Sequence, residues 1–209
     1  MTFAPLDDDT VAGINRLQAE YFSEVKQVFD PPYPDGVPER LERIVESANI
    51  GDGETVVDIG SGTGVLIPLI RRFKPLAIIA NDLSDAMLAV IRQRYPEVQT
   101  VPGSIRTVTL PDVSVDVFLI NACYPNLVDK DRCFRNIARM LRPGGRVIIS
   151  HPMGRAFTEF LKTHMPFPVD EFPVSEGEAR QWFDPYGFDV GSWLDEEKLF
   201  LLRLEKRAG

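Results

Sequence analysis

Residues 55–64, Thr-Val-Val-Asp-Ile-Gly-Ser-Gly-Thr-Gly, restrict the fold more than any other stretch of the chain. Val56, Val57 and Ile59 form a β-branched run cut off by glycine, the pattern of a strand buried inside a parallel sheet. Gly60, Gly62 and Gly64 then permit a tight turn and let a ligand reach the main chain without meeting a Cβ. A helix is predicted from Val65, with the unpaired N–H groups of its first turn facing that same turn. Strand, glycine turn and helix together predict a nucleotide-type binding loop in an α/β fold.

The spacing of the glycines selects among nucleotides. A dinucleotide loop needs Gly-x-Gly-x-x-Gly. Counted from Gly60 the third glycine falls on Val65, and counted from Gly62 it falls on Ile67, so neither register fits. The chain instead carries Asp-x-Gly-x-Gly-x-Gly from Asp58 to Gly64. This resembles the first motif of the class I S-adenosylmethionine-dependent methyltransferases. The resemblance assigns Asp58, Gly60, Ser61, Gly62 and Gly64 to binding of S-adenosyl-L-methionine.

Three later stretches keep the order of that family. The run Asn81-Asp-Leu-Ser-Asp-Ala-Met-Leu88 resembles its second motif. A carboxylate at Asp82, leaving the second strand, can accept hydrogen bonds from both ribose hydroxyls; the resemblance puts Leu83 and Met87 near the adenine. Ser84 also suits a helix cap, and the two roles are compatible. After a third strand at 98–101 come Gly103, Ser104 and Ile105. The family often has an acid after that glycine, and the hydroxyl of Ser104 is a weaker acceptor in its place. The run Leu141-Arg-Pro-Gly-Gly-Arg-Val-Ile148 resembles the junction between helix and fifth strand, with Gly144 and Gly145 expected to end the helix.

The resemblance covers roughly residues 38–209. It implies a Rossmann-like, doubly wound, mostly parallel seven-stranded sheet with a C-terminal antiparallel hairpin, formed by strands at 188–193 and 199–204. Residues 1–209 are read as one domain. Within it, residues 1–37 form a helix at 8–29 and a loop, a candidate lid over the donor. Val11, Ile14, Leu17, Tyr21, Val25 and Val28 recur at helical spacing there, so its aromatics, Tyr21 and Phe22, read either as lid or as ordinary core. Further helices are predicted at 64–73, 85–95, 129–141, 156–163 and 176–183, and one opens at Pro38. The run Asp30-Pro-Pro-Tyr33 matches the tetrapeptide with which amino-methyltransferases of nucleic acids hold their target. It lies ahead of the glycine loop with no strand leading into it, so it is read as a proline-rich turn.

Composition narrows the partners. A net charge of −8 disfavours long nucleic acid, whose phosphates normally require a basic surface. The apolar runs are too short to cross a bilayer, and no basic region precedes an apolar one, so no membrane span and no signal peptide are expected. Cys123 and Cys133 have neither metal nor redox spacing; reduced thiols and a cytoplasmic location are expected. No metal site is predicted, since His151, His164, Asp170 and Glu171 lack ligand spacing.

The catalytic side is thinner. A methyl sulfonium is already activated, so alignment of the acceptor is the main requirement. The fourth strand, 115–120, delivers Asn121, assigned with Ser104 and Ile105 to the donor, and Tyr124, a catalytic candidate, to the carboxyl edge of the sheet, where ligands of open α/β sheets bind. His151 follows the fifth strand at the same edge and reads either as a general base or as a loop histidine bonded locally. The leading reading is methyl transfer to a small-molecule acceptor. The competing readings are an NAD(P)-dependent oxidoreductase and a non-catalytic nucleotide-binding or interaction protein of the same fold.

Overall fold

The computed structural model describes residues 6–208, so the first five residues and the last of the expected 1–209 unit lie outside the described residues. Strands β1 (Thr55–Ile59), β2 (Ala77–Asp82), β3 (Gln99–Pro102), β4 (Val115–Asn121), β5 (Leu141–His151), β6 (Phe188–Glu196) and β7 (Leu199–Lys206) form one sheet in the order β3-β2-β1-β4-β5-β7-β6. The first five run parallel, while β7 is antiparallel to both β5 and β6. The expected sheet and its terminal hairpin are therefore present. The hairpin strands are longer than predicted, and only Glu197 and Lys198 separate them.

Strand β4 shows why the sheet is central. Val117 and Leu119 face one apolar cluster while Phe118 and Ile120 face another, and all four are fully buried. A strand covered on both faces needs continuous rather than alternating apolar residues. On one face lie α2 (Val37–Ser47), α3 (Ile67–Ile70) and α4 (Asp85–Arg94), contributing residues such as Ile44, Ile67 and Ile91. On the other lie α5 (Lys130–Met140) and α7 (Glu176–Phe183), whose Phe134 and Phe183 meet at 4.8 Å. The helix α6 (Phe157–His164) follows β5, and α1 (Asp8–Glu24) precedes the sheet.

Three predicted boundaries move. The helix expected at 64–73 shrinks to the single turn of α3 followed by a 3₁₀ turn, Arg71–Phe73. Gly60, Gly62 and Gly64 all have positive φ, so the chain is still turning where the helix was expected to begin. The helix expected at 8–29 stops at Glu24, and a 3₁₀ turn, Lys26–Phe29, follows. Gly144 and Gly145 do not end α5: it stops at Met140, and Leu141 is already extended and paired with Val115. Both glycines fall inside the irregular start of β5.

Candidate active site

The carboxyl ends of β1, β2 and β4 open into one cleft, at the edge where ligands of open α/β sheets bind. Its floor is the turn after β1. The N–H groups of Gly60 and Ser61 both donate to the Asn81 carbonyl, at 2.8 and 3.1 Å, tying the turn to β2. Asp82 fixes the next step. One carboxylate oxygen accepts from the Gly62 N–H at 2.9 Å, and the other from the Ser84 N–H at 2.8 Å. Ser84 in turn caps α4 by accepting from the Met87 N–H at 3.1 Å. Sequence placed ribose binding and helix capping side by side; in the structure the Asp82 carboxylate joins the glycine turn to the capping residue.

Two polar atoms in this floor have no partner within the chain. One carboxylate oxygen of Asp58 and the hydroxyl of Ser61 are buried and unbonded, and both residues line the cleft. Burial, and secondarily the charge of Asp82, pushes the Asp58 carboxyl up to about 8. Burial also raises Asp82, against the lowering effect of its backbone donors. A side chain added at Gly62 would meet no protein atom within 4 Å, so the main chain there faces open space. Unmet buried polar atoms beside bare backbone fit a polar ligand that brings its own hydrogen-bond partners.

The comparisons with known proteins agree. The methyltransferase-domain family model matches residues 57–149. An uncharacterised methyltransferase of Schizosaccharomyces pombe is 26% identical over 167 residues, which are 77% of this chain and 64% of the relative. The ubiquinone/menaquinone biosynthesis C-methyltransferase of an Enterobacter species is 24% identical over 153 residues, 66% of this chain and 61% of the relative. The chain thus spans less than two thirds of the length of these curated relatives. Among solved structures, phosphoethanolamine N-methyltransferase 1 of Haemonchus contortus, in complex with phosphoethanolamine and S-adenosylhomocysteine, matches with a TM-score of 0.78 at 15% identity. That match covers 98% of this chain and 50% of the other. Together with the fold, these matches support a class I S-adenosylmethionine-dependent methyltransferase family for this chain.

Of the residues assigned to the donor from sequence, Asp58, Gly60, Ser61, Gly62, Asp82 and Leu83 line the cleft, as do Met87, Ser104, Ile105 and Asn121. Gly64 does not. It sits behind the turn at φ +88°, where a Cβ would lie 2.7 Å from Ile67 Cδ1 and 3.1 Å from Ile91 Cγ1. Its role in this methyltransferase fold is close packing of the turn on α3 and α4. Gly60 combines both situations, because a Cβ there would overlap Cys123 Sγ.

Both residues proposed for catalysis from sequence fall outside the cleft. His151 is 4% exposed, packed against Phe157 and Phe172, and its Nδ1 accepts from the Met153 N–H at 3.1 Å. Burial lowers its pKa to about 4. A sealed imidazole whose basicity is suppressed is no general base here. Tyr124 is fully buried between Phe134, Phe172 and Phe183, and burial holds its phenol well above the ordinary range. Cys123 borders the cleft, but burial raises its thiol as well, so it is no nucleophile. Among the described residues no group of three or more His, Cys, Asp or Glu side chains could hold a metal, and no helix is long and apolar enough to cross a membrane.

The cover of the cleft comes from α1, with a different face from the one expected. Leu17 is 40% exposed and Val28 76% exposed, whereas Val11, Asn15, Gln18 and Phe22 turn inwards. Asn15, Gln18 and Phe22 line the cleft, joined by Phe29 beyond the helix. Gln18 is 1% exposed and donates to the Asn126 carbonyl at 2.9 Å. Tyr21 packs edge to ring against Phe167 and Phe22 packs tilted against it, at 5.6 Å each. At the helix start Asp8 pairs with Arg106 and Arg132, and near its end the Ser23 hydroxyl bonds Ser84 at 2.7 Å. Asp30 of the proline-rich turn is held by both Arg94 and Thr63. It tethers the covering segment to α4 and to the glycine turn, consistent with a structural turn.

Proposed function

We propose that this chain transfers the methyl group of S-adenosyl-L-methionine to a small-molecule acceptor bound under α1. The observation that carries the reading is the pair of unpartnered buried atoms, on Asp58 and Ser61, beside the open backbone at Gly62. Asp82 takes the ribose hydroxyls with the lone pairs left over from Gly62 and Ser84, since a carboxylate can accept about four hydrogen bonds. Met87, Leu83 and Ile105 form the apolar seat for the adenine, and Ser104 and the Asn121 amide supply polar contacts at its two sides. When bound, the sulfonium donor supplies an electrophilic methyl whose bonding pair stays with sulfur, while an acceptor lone pair makes the new bond.

The protein's own contribution is alignment and exclusion of water. Residues Asn15, Gln18 and Phe22 roof the cleft, and Phe167 braces Phe22 from outside. Fixing two reactants in this way supplies roughly 7–11 kcal/mol in favourable model systems. No histidine, lysine or arginine lines the cleft among the described residues, and the ionisable groups that do are Asp58, Asp82 and Cys123. Calorimetric titration with S-adenosylhomocysteine and, separately, with NAD tests the reading. Binding of S-adenosylhomocysteine alone is expected; binding of NAD alone returns the oxidoreductase.

A further inference from the structure

The donor assignment uses the ends of β1 and β2, the turn after β3 and, from β4, Asn121, and leaves the segment after β4 without a role. That side of the cleft is built from Leu127 and Val128 after β4, from Phe22 of α1, and from Phe29 beyond it. The ionisable groups lining the whole cleft, among the described residues, are Asp58, Asp82 and Cys123, with no cation to balance them. The chain as a whole carries a net charge of −8. An anionic acceptor would meet the Asp82 carboxylate with no cationic side chain in the lining to offset it, and like charges brought together are discriminated against.

One polar group interrupts the apolar side. The Asn126 N–H donates to the Cys123 carbonyl at 2.9 Å, and its own carbonyl accepts from Gln18 at 2.9 Å. Its backbone is thus pinned from both directions. Its side-chain oxygen is buried with no partner. An isolated acceptor held in an apolar wall is a penalty in the empty cleft, recovered by a ligand that donates an N–H or O–H to it.

We propose that the methyl acceptor is a largely apolar small molecule without negative charge that donates one N–H or O–H to Asn126, beside Phe22 and Phe29, whose rings pack on each other at 6.0 Å. This rests on the donor reading above, because the acceptor must lie beside a donor seated on β1 and β2. Phosphate- and carboxylate-bearing acceptors are excluded by the charge of the lining, and a bare hydrocarbon would leave Asn126 unmet.

The test keeps the two readings apart. S-adenosylhomocysteine is titrated first; if it does not bind, the donor reading fails. With the protein saturated in it, four ligands of one bicyclic frame follow: 2-naphthol, 2-methoxynaphthalene, 2-naphthoate and 2-naphthylmethylammonium. The uncharged naphthol should bind at least about tenfold tighter than 2-naphthoate, whereas 2-naphthylmethylammonium, which also donates N–H, should not be rejected in the same way. Asn126→Leu should weaken naphthol about fivefold or more, leave 2-methoxynaphthalene unchanged, and leave S-adenosylhomocysteine unchanged. Equal or tighter binding of 2-naphthoate, or binding of none of the four, overturns the proposal. So does an Asn126→Leu variant that weakens both uncharged ligands alike, because Asn126 would then serve only the local structure.

Discussion

Asp82→Asn separates what the second-strand carboxylate does for the fold from what it does for the ligand. Each oxygen of Asp82 accepts one backbone N–H, from Gly62 at 2.9 Å and from Ser84 at 2.8 Å. An asparagine keeps one acceptor oxygen and turns an NH₂ group towards the other N–H, so one charge-assisted bond is lost. Bonds of that kind are worth about 1.5–3 kcal/mol. Burial already raises the pKa of Asp82, so removing the charge recovers part of its desolvation cost. The net loss of stability should therefore lie near the lower end, about 1.5 kcal/mol. Donor affinity has no such offset, because the ribose hydroxyls lose a carboxylate acceptor; S-adenosylhomocysteine should bind roughly ten- to a hundredfold more weakly. Urea unfolding without ligand gives the first quantity, and calorimetric titration of the folded variant gives the second. A folded variant that binds S-adenosylhomocysteine within twofold of the parent would refute the ribose role and leave Asp82 as a brace for the glycine turn.

Gly64→Ala should behave oppositely: with φ at +88° and Ile67 Cδ1 2.7 Å from the new Cβ, stability should fall by about 1–3 kcal/mol while S-adenosylhomocysteine affinity stays within roughly threefold. Lost affinity at unchanged stability, read by the same two assays, would return Gly64 to the ligand. For His151 the folded pKa, about 4, lies below the ordinary value of 6.5, so the buried neutral ring contributes stability above pH 6.5 that is lost as pH falls towards 4. His151→Gln should flatten the stability-versus-pH curve in that window by roughly 1.4 kcal/mol per pH unit, measured by urea unfolding. It should leave the pH dependence of turnover unchanged near pH 6.5; disappearance of an acidic limb there would restore the general base.

The donor half of the site was legible because local spacing dictates it. A β-branched strand followed by alternating glycines can do little except turn under a ligand, and an acid ending the next parallel strand is brought beside that turn by sheet register, Ile59 opposite Asn81. Side-chain direction at a strand end is a different matter. Val147 and Ile149 belong to the apolar cluster that includes Phe172, and His151 shares their parity, so the period of two already pointed its ring at that face. Reading His151 by its place at the sheet edge alone ignored this. The α1 reading erred for a related reason. Counting only apolar positions selected Leu17 and Val28, which are exposed, and passed over Asn15 and Gln18, whose spacing with Val11 and Phe22 traces the inward stripe.

The same contrast explains why the acceptor half stayed hidden. Its parts come from α1, from the segment after β4 and from the loop carrying Phe167, and only tertiary contacts such as the one from Gln18 to the Asn126 carbonyl bring them together. No residue in that half is of a type that announces chemistry. His151 stood out as a base because histidine is the side chain whose ordinary pKa lies near neutrality, yet apart from Asp58, Asp82 and Cys123 the cleft is lined by amides, hydroxyls, rings, aliphatic chains and bare backbone. For a donor that arrives activated, such a lining is sufficient: the barrier is lowered by holding the acceptor in line, and the side chains that do so need shape and a single well-placed amide rather than a proton to exchange.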